Sequence, residues 1–246
     1  ELAVLGNTFN EMAQSLQDAV SRRKAMTADI AHELRNPLAV QRAQLEALQD
    51  GVYLLSKENL NGIYAQNNAL SYLVDDLRLL ALADSGELTL NKIEFDFKRL
   101  CLETLSNFQP QASTKGIVVE ADFRDDPYTI KADRGRVQQI INNLMQNALK
   151  YTPEGGTIKL MTRKEGGHVS LRLYNSGPQM SDETLAHLFE RFYRGDRGRD
   201  RASGGTGLGL SIAKKLTEAH FGTLTGENHP EGGVVFTLTF PLQHST

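Results

Sequence analysis

The chain has 246 residues, 27 Lys and Arg against 30 Asp and Glu for a formal net charge of -3, and 40% hydrophobic residues. That length holds one large domain or two modest ones, and the slightly acidic balance argues against the basic surface that nucleic-acid binding needs. One cysteine, Cys101, excludes an intrachain disulfide and fits a reducing compartment. No apolar run reaches the roughly 18 residues of a membrane span, and no signal-peptide pattern opens the chain.

From Leu2 the apolar positions step by three and four through Leu5, Phe9, Met12, Leu16, Ala19, Met26 and Ile30, the pattern of a bundle or coiled-coil helix. A second series runs Leu60, Ile63, Asn67, Leu70, Val74, Leu77 and Ala81 and stops at Ser85-Gly86, a helix end. A short connection from Gly51 to about Lys57 predicts an antiparallel helical hairpin. One hairpin has only a narrow seam to bury, so residues 1–86 are expected to form a homodimeric four-helix bundle. After Gly86 the pattern changes. Strands are predicted at 88–95, 117–123, 128–131, 157–163, 168–175, 223–227 and 234–241, and helices near 97–113, 133–151, 182–193 and 207–221. Asp133 is the expected N-cap of the second helix in this half. With Gly-Gly turns at 155–156 and 166–167, this reads as an α/β sandwich. Residues 194–206, RGDRGRDRASGGT, lack apolar periodicity and read as a mobile loop.

Three stretches could carry chemistry. In IAHELRNPLAV (30–40), Pro37 sits inside a helix at a cost of roughly 3 kcal/mol. It marks either a helix end or a helix made to bend. His32 lies about 200° around the helix from Ile30 and so faces away from the seam, with Glu33 beside it and Asn36 one turn on. A neutral imidazole is a nucleophile, and a carboxylate on its other nitrogen fixes the tautomer. The other histidines, at 168, 187, 220, 229 and 244, read as incidental surface residues. In NNLMQNALKYTP (142–153), Asn143 and Asn147 share a helix face and Lys150 and Tyr151 follow within a turn; amide oxygens suit Mg²⁺ and lysine suits phosphate. In GGTGLGLSIAKKL (204–216), Gly205, Thr206, Gly207, Leu208 and Gly209 lead into a helix whose N-terminus favours phosphate. It is neither a P-loop nor a dinucleotide fingerprint.

Together these stretches resemble the sensor histidine kinases of two-component systems over essentially the whole chain. HELRNP matches that family's H box, NLMQNALKYTP its N box, NSGPQM (175–180) its G1 box, LFERFYR (188–194) its F box, and GGTGLGLSIAKKL its G2 box, in the family's order. The stretches around the H, F and G2 boxes look closest to the BaeS-like branch of envelope-stress sensors. The opening residues are similar to the second helix of a HAMP linker, which implies a preceding membrane segment and a chain that is the cytoplasmic portion of a plasma-membrane sensor.

The resemblance implies an α+β chain in three parts. Residues 1–22 are a HAMP-like signalling helix and 23–86 a dimerisation and phosphotransfer hairpin. Residues 87–246 are an ATP-binding domain of the Bergerat type shared with gyrase-like ATPases. It implies His32 as phosphoacceptor, Glu33 as its base, and Asn36 as an aid to dephosphorylating a partner. Asn147 with Asn143 would hold Mg²⁺; Lys150 would contact phosphate and Tyr151 pack near the nucleoside of ATP. Residues 181–204 would form a lid rooted at Phe189, Phe192 and Arg194, with Gly205, Gly207 and Gly209 cradling the triphosphate. Asn175 and Gly177 would lie at the adenine. The implied partners are a second copy of the chain and the receiver domain of a response regulator.

Three departures stand out. Asn175 replaces the family's aspartate. A neutral acceptor contributes about 0.5–1.5 kcal/mol against 1.5–3 for a charged one, so ATP should bind roughly tenfold more weakly, and Asn175→Asp should tighten it or leave it unchanged. Gln179 replaces the box's second glycine and Phe221 stands where glycine is common, so backbone freedom is lost at both. Competing readings are a nucleotide-binding regulatory module with little kinase activity, a gyrase-type ATPase without a phosphoacceptor, and a purely structural coiled-coil dimer.

Overall fold

The computed structural model describes residues 2–123, 128–195 and 206–242. By its internal contacts the chain falls into two compact units, Glu1–Asp75 and Asp76–Thr246. Among the described residues no helix is long and apolar enough to cross a membrane.

In the first unit, α1 (Leu2–Gln49) runs through Pro37 without ending. The proline therefore sits in a helix interior, where it has no N–H to offer the carbonyl of Glu33. Gly51, at φ 73°, turns the chain. Ser56 then caps α2 (Lys57–Asp84) by accepting the Asn59 N–H at 3.2 Å, and Asn59 Nδ2 donates to the Leu54 carbonyl at 2.8 Å. Apolar side chains remain exposed on both helices, among them Leu38, Leu45, Leu60 and Tyr64. That is the surface a single hairpin cannot bury.

The second unit begins with the last turns of α2, whose Leu79 and Leu80 are buried. The boundary expected after residue 86 thus lies later than the 75/76 division, at the C-terminal end of the same helix. Next come β1 (Lys92–Asp96), α3 (Phe97–Thr114), β2 (Val118–Phe123), β3 (Thr129–Asp133), α4 (Arg134–Tyr151), β4 (Thr157–Glu165) and β5 (His168–Asn175). The unit closes with α5 (Asp182–His187), α6 (Gly209–Ala219), β6 (Thr223–Asn228) and β7 (Val234–Pro241). β1 and β3 form an antiparallel pair, and the other strands make one sheet in the order β2-β4-β5-β7-β6. In that sheet only the β2–β4 pairing is parallel.

The alternation of each strand decides the layering. Ile158, Leu160, Val169, Leu171 and Leu173 are buried under helices whose own inward residues, Ile140, Ile141 and Leu144 on α4 and Ile212 and Leu216 on α6, are fully buried. Each such aliphatic side chain contributes about 1.5–3 kcal/mol. The opposite face is polar and carries cross-strand ion pairs, Lys159–Glu120 and Arg163–Asp122, both at 3.0 Å. Gly166 and Gly167, at φ 58° and 78°, make the two-residue turn between β4 and β5. The fold is the expected α+β hairpin and sandwich.

Two expectations need correction. The helix predicted over 182–193 ends at His187. Phe192 takes φ 59°, which no helix contains, and its N–H bonds the Gly207 carbonyl at 3.1 Å, so the chain folds back before a further turn forms. The strand predicted from residue 88 starts at Lys92, where pairing with Asp133 begins.

Candidate functional site

Helical spacing places Asn143, Asn147 and Lys150 on one face of α4, and the structure shows what they face. Asp133, as expected, caps the helix by accepting the Arg136 N–H at 3.1 Å. Its apolar stripe locks onto the sheet, which leaves Asn143, Gln146, Asn147 and Lys150 along one wall of a cleft of about 930 Å³. That size suits a nucleotide. Asn143 Nδ2 donates to the Gly209 carbonyl at 2.9 Å and so ties α4 to the first residue of α6. With its N–H₂ so engaged, the amide oxygen of Asn143 is left as an acceptor. Lys150 Nζ lies 5.0 Å from the centroid of the Tyr151 ring, and both side chains line the cleft.

The opposite wall is the start of α6 with the turn before it. Thr206, Gly207 and Gly209 line the cleft, while Leu208 is fully buried behind them. Gly207 has φ 71°, and a Cβ there would stand 2.9 Å from the Phe192 backbone, so no side chain fits. Ser181 to Leu188 close one side. Ser181 caps α5 by accepting the Thr184 N–H at 3.1 Å.

Asn175 ends β5 at the floor, 2% exposed, between Ile158 of β4 and Val234 of β7. Its position is fixed by its neighbours' lack of side chains. A Cβ on Gly233 would come within 2.3 Å of the Asn175 carbonyl oxygen, and one on Gly177 would come 2.8 Å from the Tyr151 carbonyl oxygen. The loop after it has no left-handed residue at Gln179. Instead Gln179 Nε2 donates to the His229 carbonyl at 2.8 Å, and Met180 and Asn228 exchange two 2.8 Å hydrogen bonds that hold the loop against the β6–β7 turn.

The structure thus brings Asn143, Asn147, Lys150, Tyr151, Asn175, Arg194, Thr206, Gly207 and Gly209 to one cleft. Gly177, Leu208, Phe189 and Phe192 are not among the lining: Leu208 is fully buried, the Phe192 backbone abuts Gly207, and Phe189 lies under the Lys214 ammonium at 5.5 Å. Gly205 lies outside the described residues, as does 196–205 of the expected loop. His32 is exposed on α1 in the first unit, with Glu33 half-buried and Asn36 exposed. Among the described residues no hydrogen bond joins those three.

Sequence reasoning missed several cleft residues. Gln146 was within reach, since it follows Asn143 by three on a helix. Asp76 was not, because nothing local places the end of α2 beside the cleft. His220 is no surface residue: it is 5% exposed at the end of α6. Its Nδ1–H donates to the Leu216 carbonyl at 2.7 Å and its Nε2 accepts the Asp133 N–H at 3.0 Å. Burial holds its pKa below the ordinary imidazole value, with Lys92 adding to that and the Leu216 carbonyl and Asp133 opposing it. Burial pushes the Cys101 thiol up, so it stays protonated and unreactive.

A magnesium ion fits the donor set. Asn143 and Asn147 offer hard amide oxygens, and Mg²⁺ keeps waters and phosphate oxygens for its remaining positions. No cage of carboxylates is required for that, and none of three or more His, Cys, Asp or Glu occurs among the described residues.

Comparison with known proteins agrees with this geometry. Residues 22–86 match the family described as the His Kinase A (phospho-acceptor) domain, and 132–244 match the Histidine kinase-, DNA gyrase B-, and HSP90-like ATPase family. The Signal transduction histidine-protein kinase BaeS of Escherichia coli is 39% identical over 99% of this chain and 52% of its own length. The Sensor protein SphS of Synechococcus elongatus is 32% identical over 96% of this chain and 59% of its own. The chain therefore spans little more than half the length of these relatives. Among solved structures, the histidine kinase AdeS of Acinetobacter baumannii superposes with a TM-score of 0.73 at 28% identity, covering 87% of this chain and 98% of that one. The histidine kinase ThkA, in complex with the response regulator protein TrrA, superposes with a TM-score of 0.70 at 28% identity, covering 92% of this chain and 64% of that one.

Proposed function

Since the chain belongs to the sensor histidine kinase family, we propose that it transfers the γ-phosphoryl group of ATP to His32 and then passes it to an aspartate of a response regulator. The observation that carries this reading is the cleft itself, where amide oxygens, a lysine and a glycine-lined helix start meet around one nucleotide-sized space. Phosphoryl transfer asks a protein for alignment and charge neutralisation more than for covalent chemistry. Magnesium, when bound, would neutralise phosphate charge, and Asn147 and Asn143 would hold it. Lys150 pairs with the phosphates, and the N–H groups at the start of α6 take further phosphate oxygens. Asn175 bonds the base at the cleft floor, beside Tyr151.

At the acceptor, an imidazole nitrogen lone pair of His32 attacks phosphorus. The N–P bond forms as the bond from phosphorus to the bridging oxygen breaks, and ADP leaves with the electron pair. Glu33, one residue on, swings to take the hydrogen on the other ring nitrogen, which keeps the ring nucleophilic. Asn36 orients the water that removes the phosphoryl group from the partner's aspartate. Pro37, one residue after Asn36, lowers the resistance of α1 to bending because one backbone hydrogen bond is already missing; equal curvature of α1 with and without ATP would contradict this. The exposed apolar stripe of the hairpin is covered by a second copy of the chain, and these residues act on the cytoplasmic side of the plasma membrane.

Incubation with γ-labelled ATP and Mg²⁺ tests the reading. Label stable to alkali, labile to acid and chased onto a response regulator is the expected outcome. Steady phosphate release that is unchanged in His32→Gln would favour a gyrase-type ATPase instead.

A further inference from the structure

The floor of the cleft holds a residue whose chemistry has two readings. Asn175 is almost wholly buried, its backbone is fixed by strands on both sides, and its side chain faces the cleft. Yet among the described residues its amide makes no hydrogen bond. The backbone is held while the amide plane is not, so either its oxygen or its nitrogen can be turned to the ligand. Gly177 runs close beside the amide and leaves it room only by having no side chain: a Cβ built there would be 3.4 Å from Asn175 Nδ2.

A primary amide carries an acceptor and a donor side by side. Adenine presents an N6 amino donor beside the N1 acceptor. Guanine presents the O6 acceptor beside the N1–H donor, the same edge with its polarity reversed. A half-turn of the Asn175 amide converts a pair of hydrogen bonds to one purine into a pair to the other. A carboxylate at this position has acceptors alone and would oppose O6. Val234, its cross-strand neighbour, offers an apolar wall with no preference between the two.

Resting on the nucleotide reading above, the geometry points to relaxed purine specificity: GTP as well as ATP binds this cleft and serves as phosphoryl donor, with Asn175 as the residue that permits it. A buried polar group left unpaired is what makes a site reject an analogue, by factors that reach about 10⁴. A group that can pair with both purines does not impose that rejection.

The test is titration of the chain with the imido analogues of ATP and GTP in the presence of Mg²⁺, for the natural chain and for Asn175→Asp. The natural chain should bind the two within about tenfold of each other. Asn175→Asp, nearly isosteric but unable to donate, should retain the ATP analogue and shift the ratio toward it by tenfold or more. Larger discrimination than tenfold by the natural chain overturns the inference, whatever the variant does. An unchanged ratio in a folded Asn175→Asp, confirmed by its melting curve, overturns it too. Failure of both analogues to bind the natural chain overturns the nucleotide reading together with the inference, whereas binding of the ATP analogue alone overturns the inference only.

Discussion

Replacing His220 with alanine is expected to destabilise the second unit by about 3 kcal/mol at pH 7.5, far more than an exposed histidine would. The imidazole bridges the end of α6 to the N-cap of α4, at 2.7 Å to the Leu216 carbonyl and 3.0 Å from the Asp133 nitrogen. The Leu216 carbonyl keeps the helical bond it accepts from the His220 backbone N–H. The Asp133 N–H loses its partner, and leaving a buried group unsatisfied costs about 1–3 kcal/mol. Loss of the edge-on contact with Phe240, whose ring centroid is 5.9 Å away, removes roughly another 0.5–1.5 kcal/mol. The remainder comes from the small cavity left behind. The effect is pH-dependent, with a definite sign. The pKa of His220 is lowered in the fold, so below the ordinary value of about 6.5 the unfolded chain takes up the proton first. The stabilisation is present above that pH and lost as pH falls toward the folded value. The groups facing the ring are Lys92 and Asp133, with opposing signs, so burial dominates. Urea unfolding at pH 7.5 and 5.5 reads both quantities. The gap between natural chain and His220→Ala should narrow at the lower pH. A loss below about 1 kcal/mol with an unchanged gap would refute the bridge.

Gly233→Ala forces a Cβ to 2.3 Å from the Asn175 carbonyl oxygen at φ 83°, so it should lower the melting temperature and weaken ATP binding by more than tenfold in calorimetric titration. Arg191 grips both oxygens of Asp84 at 2.7 Å, joining the end of α2 to the segment that carries Phe192. A double-mutant cycle with Asp84→Ala and Arg191→Ala should give a coupling of about 1 kcal/mol, the upper end for a partly exposed pair, while simple additivity would deny that the contact exists in solution. Phe221 holds φ 60° and is 79% exposed, with the Lys92 ammonium over its ring at 4.9 Å. Phe221→Asn, a residue tolerant of that backbone, should therefore raise stability by about 0.5–1 kcal/mol in thermal melts.

What the sequence made legible follows from where its periodicities act. Asn143, Asn147 and Lys150 could be placed on one face because helical spacing is local, and Gly207 and Gly209 because glycine runs have few other uses. The left-handed backbone at Phe221 was foreseeable from the glycine that commonly stands there. Burial of His220 was not, since it depends on the approach of α6 to the β3–α4 junction, far apart in the chain. The same holds for Asp76 on the cleft wall and Arg191 on Asp84. The helix that stops at His187 misled for a related reason: the apolar spacing of Leu188 and Phe192 is helical, but the Gly207 carbonyl captures the Phe192 N–H and turns the chain.

The central claim is that the exposed imidazole on α1 is the group that receives phosphate. Fragmentation mass spectrometry of the chain after incubation with ATP and Mg²⁺, kept at alkaline pH to preserve nitrogen–phosphorus bonds, measures this directly. The account predicts a single added phosphate on His32 that disappears in Asn147→Ala. Phosphate on any other side chain, or full labelling of His32→Gln, would contradict it.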